Sequence, residues 1–209
     1  TVAISGSAAV LATVGGVLLA WMLRTRKVPV WITALALAAC FALPGPLLGV
    51  WTIRILNRPE DSALHVLTWL YDRTILAPVA VQTLRALPLA TLILTAQLAS
   101  VPQALLDSAK SEGASWWRSV LQIILPMRWH GVIAALCMSA IVGVSDLAAT
   151  LLVCPPGVST IAERIFGLLH YGAEDRVSAF CLMLTVVLGT AAIFAWTLIS
   201  RARYDRLEG

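Results

Sequence analysis

Charge is what this chain has least of. Asp, Glu, Lys and Arg make up 12% of its 209 residues, against 59% hydrophobic ones, where a soluble domain carries about 25% charged residues. So few polar side chains leave the chain unable to cover its own surface, and lipid must cover part of it; an ordinary soluble globule is excluded. The mean hydropathy of +0.87 agrees. A basic face for nucleic acid is also missing: the net charge is +4, but the cations sit in short clusters between apolar runs, so no nucleic-acid partner is expected. Cys40, Cys137, Cys154 and Cys181 form no C-x-x-C pair and read as small buried hydrophobes rather than metal ligands. No G-x-x-x-x-G-K-[ST] run occurs, so the chain brings no phosphate-cradling loop of its own. No loop carries a nucleophile–base or metal-ligand arrangement, and neither an enzyme nor a bound cofactor is expected. The first apolar run has no basic residues ahead of it and the sequence opens on Thr1. It reads as a span rather than a cleaved signal, and the chain as a piece of a longer polypeptide.

What the chain does have is long apolar runs. A spanning helix needs roughly 20 mostly apolar residues, and segments at about 4–21, 30–50, 75–98, 132–153 and 177–200 qualify. The expected fold is all-α and integral to the membrane: one transmembrane domain over 1–209 with five transmembrane helices. Gly15, Gly16, Pro44, Pro46, Pro78 and Pro88 fall inside these runs, which spanning helices tolerate because neighbours resatisfy the freed backbone groups. An odd number of spans puts the two ends on opposite sides. Arg24, Arg26, Lys27, Lys110, Arg118, Arg128, Arg201, Arg203 and Arg206 share one side; the other has only Arg54, Arg58, Arg73, Arg164 and Arg176. The positive-inside rule then places the N-terminus outside and the C-terminus in the cytoplasm, with residues 99–131 as the largest cytoplasmic loop.

That loop reads ASVPQALLDSAKSEGASWWRSVLQIILPMRWHG. Ser100-Val-Pro-Gln103 has the form of a capping box with proline in the first turn, predicting a helix over 101–112. Gly113 is placed to end it in a left-handed conformation. A second helix over 115–125 follows, closed by Pro126. Two short helices with a glycine bend are thus expected across the inner face of the membrane.

The spacing resembles the coupling segment of type I ABC importer permeases, whose pattern is E-A-A-x-x-x-G, nine residues, then I-x-L-P. Here the positions are Asp107-Ser108-Ala109, Gly113 and Ile123-Ile124-Leu125-Pro126, with Asp107 for glutamate and Ser108 for alanine. The resemblance runs from the first span to the last and implies a bacterial plasma-membrane protein with several partners. A separate ATP-binding subunit, using ATP and Mg, would receive the coupling helix in a groove. Asp107 would offer it a polar contact, Ala109 and Gly113 close approach, and Ile123–Pro126 would fix the loop to span four. A second permease core, identical, homologous or fused, and a periplasmic or lipid-anchored substrate-binding protein complete the set.

After span four, Thr160-Ile-Ala-Glu163 is a second capping box, and Ile161, Ile165, Leu168 and Leu169 line one face at helical spacing. Gly172 is placed to end this outer amphipathic helix. Packing and docking of the binding protein, through Glu163, His170 and Tyr171, are both open roles for it. The run ATLL…PPG…T…I…HYGAEDRV resembles permeases of ferric iron importers, although thiamine, phosphonate, putrescine and sulfate permeases share parts of it. His170 and Tyr171 are adjacent, but no carboxylates cluster around them in sequence.

Arg85 falls mid-span in helix three and Asp146 in helix four. A charge in hydrocarbon costs at least about 2.5–3.5 kcal/mol, so such residues pair or face a polar cavity. Lining a translocation path, a purely structural pair, and snorkelling of Arg85 are the readings. Arg128 and His130, at the inner interface, call for no special role. The rival to an importer permease is a stand-alone secondary transporter or channel, which usually needs more spans and internal repeats; a non-transporting assembly subunit is the third reading.

Overall fold

A computed structural model describes residues 1–25, 29–57, 65–155, 157–172 and 174–204. Arg26, Lys27, Arg58 and Arg206, used above to orient the chain, lie outside the described residues. Among the described residues every regular element is helical. They are α1 (Val2–Arg24), α2 (Val30–Ala42), α3 (Gly45–Leu56), α4 (His65–Arg73), α5 (Leu76–Ala99), α6 (Gln103–Ser111), α7 (Trp116–Arg118), a π-helical turn (Ser119–Ile124), α8 (Leu125–Met127), α9 (Trp129–Ser145), α10 (Thr150–Val153), α11 (Ile161–His170) and α12 (Glu174–Tyr204).

Helices α1, α5 and the stretch Asp175–Ser200 of α12 are each long and apolar enough to cross a membrane. The count reaches five when each of two bent pairs is taken as one span. Two of the expected spans are interrupted. The run 30–50 is not one straight helix: Leu43 takes an extended conformation before Pro44, and α3 turns 99° away from α2. The residue before a proline is pushed out of the helical region, so the Leu43-Pro44 step breaks the span. The run 132–153 is also broken. Helix α9 stops at Ser145, Asp146 is extended at ψ 95, and the chain resumes helix only at α10. Asp146 is therefore the C-cap of α9, not a residue inside a helix.

The centre is a triangle of α1, α5 and α9 packed through small residues. Ala8, Ala12, Gly16 and Ala20 line α1 at four-residue spacing, Gly131, Ala135, Ser139 and Gly143 line α9, and Gln82, Ala86, Ala90, Leu94 and Leu98 line α5. All are buried. Lipid gives helices no hydrophobic reason to associate, so close backbone approach and the dispersion it permits hold them together. The approach is tight at Gly16, where a Cβ would lie 3.1 Å from the Ala90 carbonyl carbon. Pro88 sits within α5 without ending it, as expected for a spanning helix.

Two layers flank the triangle. Helices α3, α4 and α10 pack together around Ala77, Val81, Ala149 and Val153, joined by Leu48, Ile53, Leu56 and Tyr71. Burial, then the Asp72 charge and Cys154, push the Tyr71 phenol above its ordinary value. On the other side α12 packs on α9 through Ala195 and Leu198 against Ala134, while Leu182, Met183, Val186, Phe194 and Trp196 are exposed. That exposed face matches a helix bathed in lipid.

Candidate functional site

The loop from Ser100 to Met127 folds as two short helices joined by a sharp bend, but its start differs from expectation. Ser100 does not cap α6: its hydroxyl donates to the Gln97 carbonyl at 2.6 Å, and Pro102 is the N-cap. The proline at the third position of the box, its ring holding φ at −58, takes an extended ψ of 135 as the N-cap, and the helix starts only at Gln103. The C-terminal end is as the sequence predicts. Gly113 has φ +78, its N–H donates to the Lys110 carbonyl, and Ala114 N–H donates to the Ala109 carbonyl, both at 2.9 Å. This is the paired Schellman arrangement that satisfies the last carbonyls of a helix and turns the chain.

Beyond the bend, α7 continues through the π turn into α8 and stays helical to Met127, past Pro126. Proline has no N–H to give the Gln122 carbonyl, and its ring crowds that group. The π turn widens the helix just ahead of it, with Leu125 N–H reaching the Val120 carbonyl. Pro126 thus reshapes this helix without closing it. The break comes at Arg128, with φ −121 and ψ 29, and the segment lies 85° from α9.

The expected coupling residues divide between two faces. Asp107 and Ser108 are exposed; Asp107 pairs with Lys110 Nζ at 3.5 Å and accepts from Gln103 Nε2 at 3.2 Å. Gly113 points into open space, with nothing within 4 Å of where a Cβ would stand. Ala109 is buried at 8% exposure and lines a cleft of about 280 Å³ with Glu112, Ala114, Arg118, Gln122 and Ile123. Ile123 and Leu125 are half-buried and Pro126 is exposed. Leu106, Val120 and Ile124 hold the segment against Ala20, Trp21, Leu94 and Leu98 of the triangle.

Two arginines fasten the loop. Arg24, at the end of α1, donates to the Val101 carbonyl at 2.7 Å and to Gln103 Oε1 at 3.3 Å. Arg128 donates to the Ser100 carbonyl at 3.3 Å and is buried. The expectation that Arg128 needs no special role is therefore corrected. Both carbonyls belong to the link between α5 and α6, which has no helix partner for them.

Nearer the middle of α5, Arg85 Nε stands 3.4 Å from Asp146 Oδ2. A second arm of Arg85, Nη1, donates to the Leu43 carbonyl at 2.9 Å. Asp146 Oδ1 also accepts from Ala149 N–H at 3.3 Å. One cation thus bridges the break between α2 and α3 and the break between α9 and α10. Asp146 is buried and Arg85 about a quarter exposed. The ion pair and the carbonyl contact together neutralise what an apolar membrane would otherwise penalise.

Helix α11 begins with the complete capping box: Glu163 N–H donates to Thr160 Oγ1 at 3.2 Å, and Thr160 N–H donates to Glu163 Oε2 at 3.2 Å. Gly172 follows with φ +70. Glu163 is thereby occupied in its own helix, whereas Tyr171 is 89% exposed and His170 stacks on Phe166 with ring centroids 5.9 Å apart. Burial, then the Glu163 charge, push the nearby Cys154 thiol above its ordinary value.

The sequence pattern of the binding-protein-dependent transport system inner membrane components matches residues 4–206. The chain belongs to this family. Membership makes it a multi-pass inner membrane protein and a permease component rather than an enzyme. Proteins of Salmonella paratyphi A and Salmonella typhimurium, both provisionally named 2-aminoethylphosphonate transport system permease protein PhnV, are 29% identical to it over 90 residues. That stretch is 43% of this chain and 34% of the relatives' own length.

Within this permease component, residue-by-residue reading missed four side chains. Arg24 and Arg128 passed for topology-setting cations, and the fact that they bracket the loop was the available signal. Gln82 and Gln97, buried on α5, are amides in an otherwise apolar run, which in a membrane helix is signal enough. Among the described residues no three His, Cys, Asp or Glu side chains come together as a metal site.

Proposed function

We propose that this chain is the membrane core of an ATP-driven importer that takes a small solute from a binding protein outside and releases it in the cytoplasm. The observation that carries the reading is the coupling segment. Two short helices meet at a Schellman bend on Gly113 and are fastened to α1 and α9 by Arg24 and Arg128, in a chain that fits the family from end to end. A separate ATPase subunit, hydrolysing ATP with Mg, engages the exposed edge of Asp107, Ser108 and Gly113. The bend passes its movement to α1 and α9 through the two arginines. A second core completes the pathway, and Arg85 with Asp146 contributes its polar lining. The N-terminus lies outside and the C-terminus inside, supported by the excess of Lys and Arg on the coupling side.

The solute is small and charged. Ferric ion is favoured by the ATLL…HYGAEDRV run. A phosphonate of the 2-aminoethylphosphonate kind is favoured by the names of the relatives. The chain, copurified with its ATPase and placed in vesicles, is to be assayed for MgATP hydrolysis with its binding protein carrying either solute. Stimulation by one of them identifies the class. Hydrolysis that ignores the binding protein, or a chain that never copurifies with an ATPase, contradicts an importer.

A further inference from the structure

We infer that Gln82 and Gln97 are positioning residues of the transport cycle: their amide oxygens are unpaired in the conformation described here and gain partners when α9 shifts against α5. The inference rests on the importer reading and extends it to how the core moves.

Both glutamines lie on the buried stripe of α5, 1% and 7% exposed. Each is seated in a notch made by a glycine of α9. A Cβ on Gly143 would stand 2.9 Å from Gln82 Oε1, and one on Gly131 would overlap Gln97 Cγ. The two notches sit near opposite ends of α9, so the amides grip it above and below. Neither amide oxygen accepts a hydrogen bond, and the Ser5 and Ser139 hydroxyls, each 1% exposed, also have no partner. Ser5 Oγ lies 3.4 Å from the same Cβ position on Gly143, so it is a close neighbour of the Gln82 amide.

A buried oxygen without a donor carries its full desolvation penalty, and an apolar side chain of the same shape does as well or better for stability. Four such oxygens along one seam are therefore poorly explained by stability in this conformation. They are well explained by a second arrangement in which the Ser5 or Ser139 hydroxyl meets the Gln82 amide, and the unpaired Arg128 Nε–H, one turn from Gly131, meets the Gln97 amide. The buried face of α9 is otherwise made of small residues, Ala134, Ala135 and Ser139, so its shift against α5 requires the two amides to swing out of their notches and little else.

Each notch also touches a part of the machinery. Gln82 is one turn from Arg85 on α5, and Gly143 one turn from Asp146 on α9. At the other end, Gln97 accepts at its backbone carbonyl from the N–H and hydroxyl of Ser100, and Gly131 N–H donates to the Arg128 carbonyl. A shift of α9 thus reaches from the coupling loop to the outer ion pair.

The test replaces each amide by a near-isosteric apolar side chain, Gln82→Met and Gln97→Met, in the transporter assembled with its ATPase. Thermal unfolding and MgATP turnover in vesicles are read with MgATP as the only added ligand. The expected result is opposite movement: a melting temperature unchanged or raised by about 2–4 °C, with turnover reduced several-fold. Variants that accumulate poorly or melt lower would show the amides to be structural and overturn the inference. So would variants that turn over like wild type. A wild-type transporter without MgATP turnover would instead remove the importer reading, and this inference with it.

Discussion

Arg85 and Asp146, on different helices and distant in sequence, face each other at 3.4 Å across two broken helices. The pair explains why an apolar span keeps an arginine: the guanidinium serves a carboxylate and the free Leu43 carbonyl together. Asp146→Asn leaves a half-buried cation without its counter-charge; for a fully buried pair the usual cost is about 3–5 kcal/mol. Arg85 is 28% exposed, so solvent screening brings the cost below that range. Asp146→Asn and Arg85→Gln should each lower the folded yield and transport, and the double variant should do less harm than the two effects added. Strict additivity in a double-mutant cycle would mean that the two residues act independently.

The loop anchors give a second prediction. Arg24→Ala removes two hydrogen bonds to the α5–α6 link, and no other described residue donates to the Val101 carbonyl. Hydrogen exchange over residues 101–112 should speed up, while exchange in α9 stays as it was. Equal protection in the variant would show that Arg24 does not hold the loop.

The capping box of α11 is a third test. Thr160→Ala removes the acceptor for Glu163 N–H and should cost about 0.5–2 kcal/mol of local stability, read as faster exchange at the start of α11. Glu163→Gln keeps an oxygen for the Thr160 N–H and should change much less. Equal fraying in both variants would assign the effect to charge, not to the cap.

Much of this architecture was legible in the sequence because membrane helices obey one-dimensional rules. The apolar runs located α1, α5 and α12 to within a few residues, and glycine placement located the turns at Gly113 and Gly172, both left-handed. The misses have two causes. The break at Leu43 and the failed cap at Ser100 are local effects of Pro44 and Pro102, whereas the pairing at the Asp146 break and the fastening by Arg24 and Arg128 are contacts between distant segments. A hydropathy window sees 132–153 as one run because it averages over Asp146, and only the approach of Arg85 shows why the chain opens there. Ser100 satisfies the spelling of a capping box, but its hydroxyl finds the nearer Gln97 carbonyl.

Sidedness is open to direct labelling. Cysteines placed singly at Ser111 and Ser159, both exposed, should react with a membrane-impermeant maleimide from opposite faces, Ser111 from the cytoplasm. Native Cys154 should react more slowly than the cysteine at 159. Its thiol is partly buried and holds its proton more tightly than usual, so the reactive thiolate forms only as pH rises through that raised value. Labelling of 111 and 159 from the same side would end the five-span topology.

Gly113 carries the central claim. Its φ of +78 and the open space around it mean that a substitution there is penalised by backbone conformation alone. A β-branched residue meets the full penalty, whereas asparagine enters the left-handed region more readily. The decisive measurement is MgATP hydrolysis stimulated by the loaded binding protein, in vesicles holding the permease and its ATPase, for wild type, Gly113→Asn and Gly113→Val. The account predicts normal membrane insertion in all three, near-normal stimulation for Gly113→Asn, and a large loss of stimulation and uptake for Gly113→Val with basal hydrolysis persisting. Full stimulation and uptake in Gly113→Val would contradict the assignment of this bend as the link between ATP hydrolysis and transport.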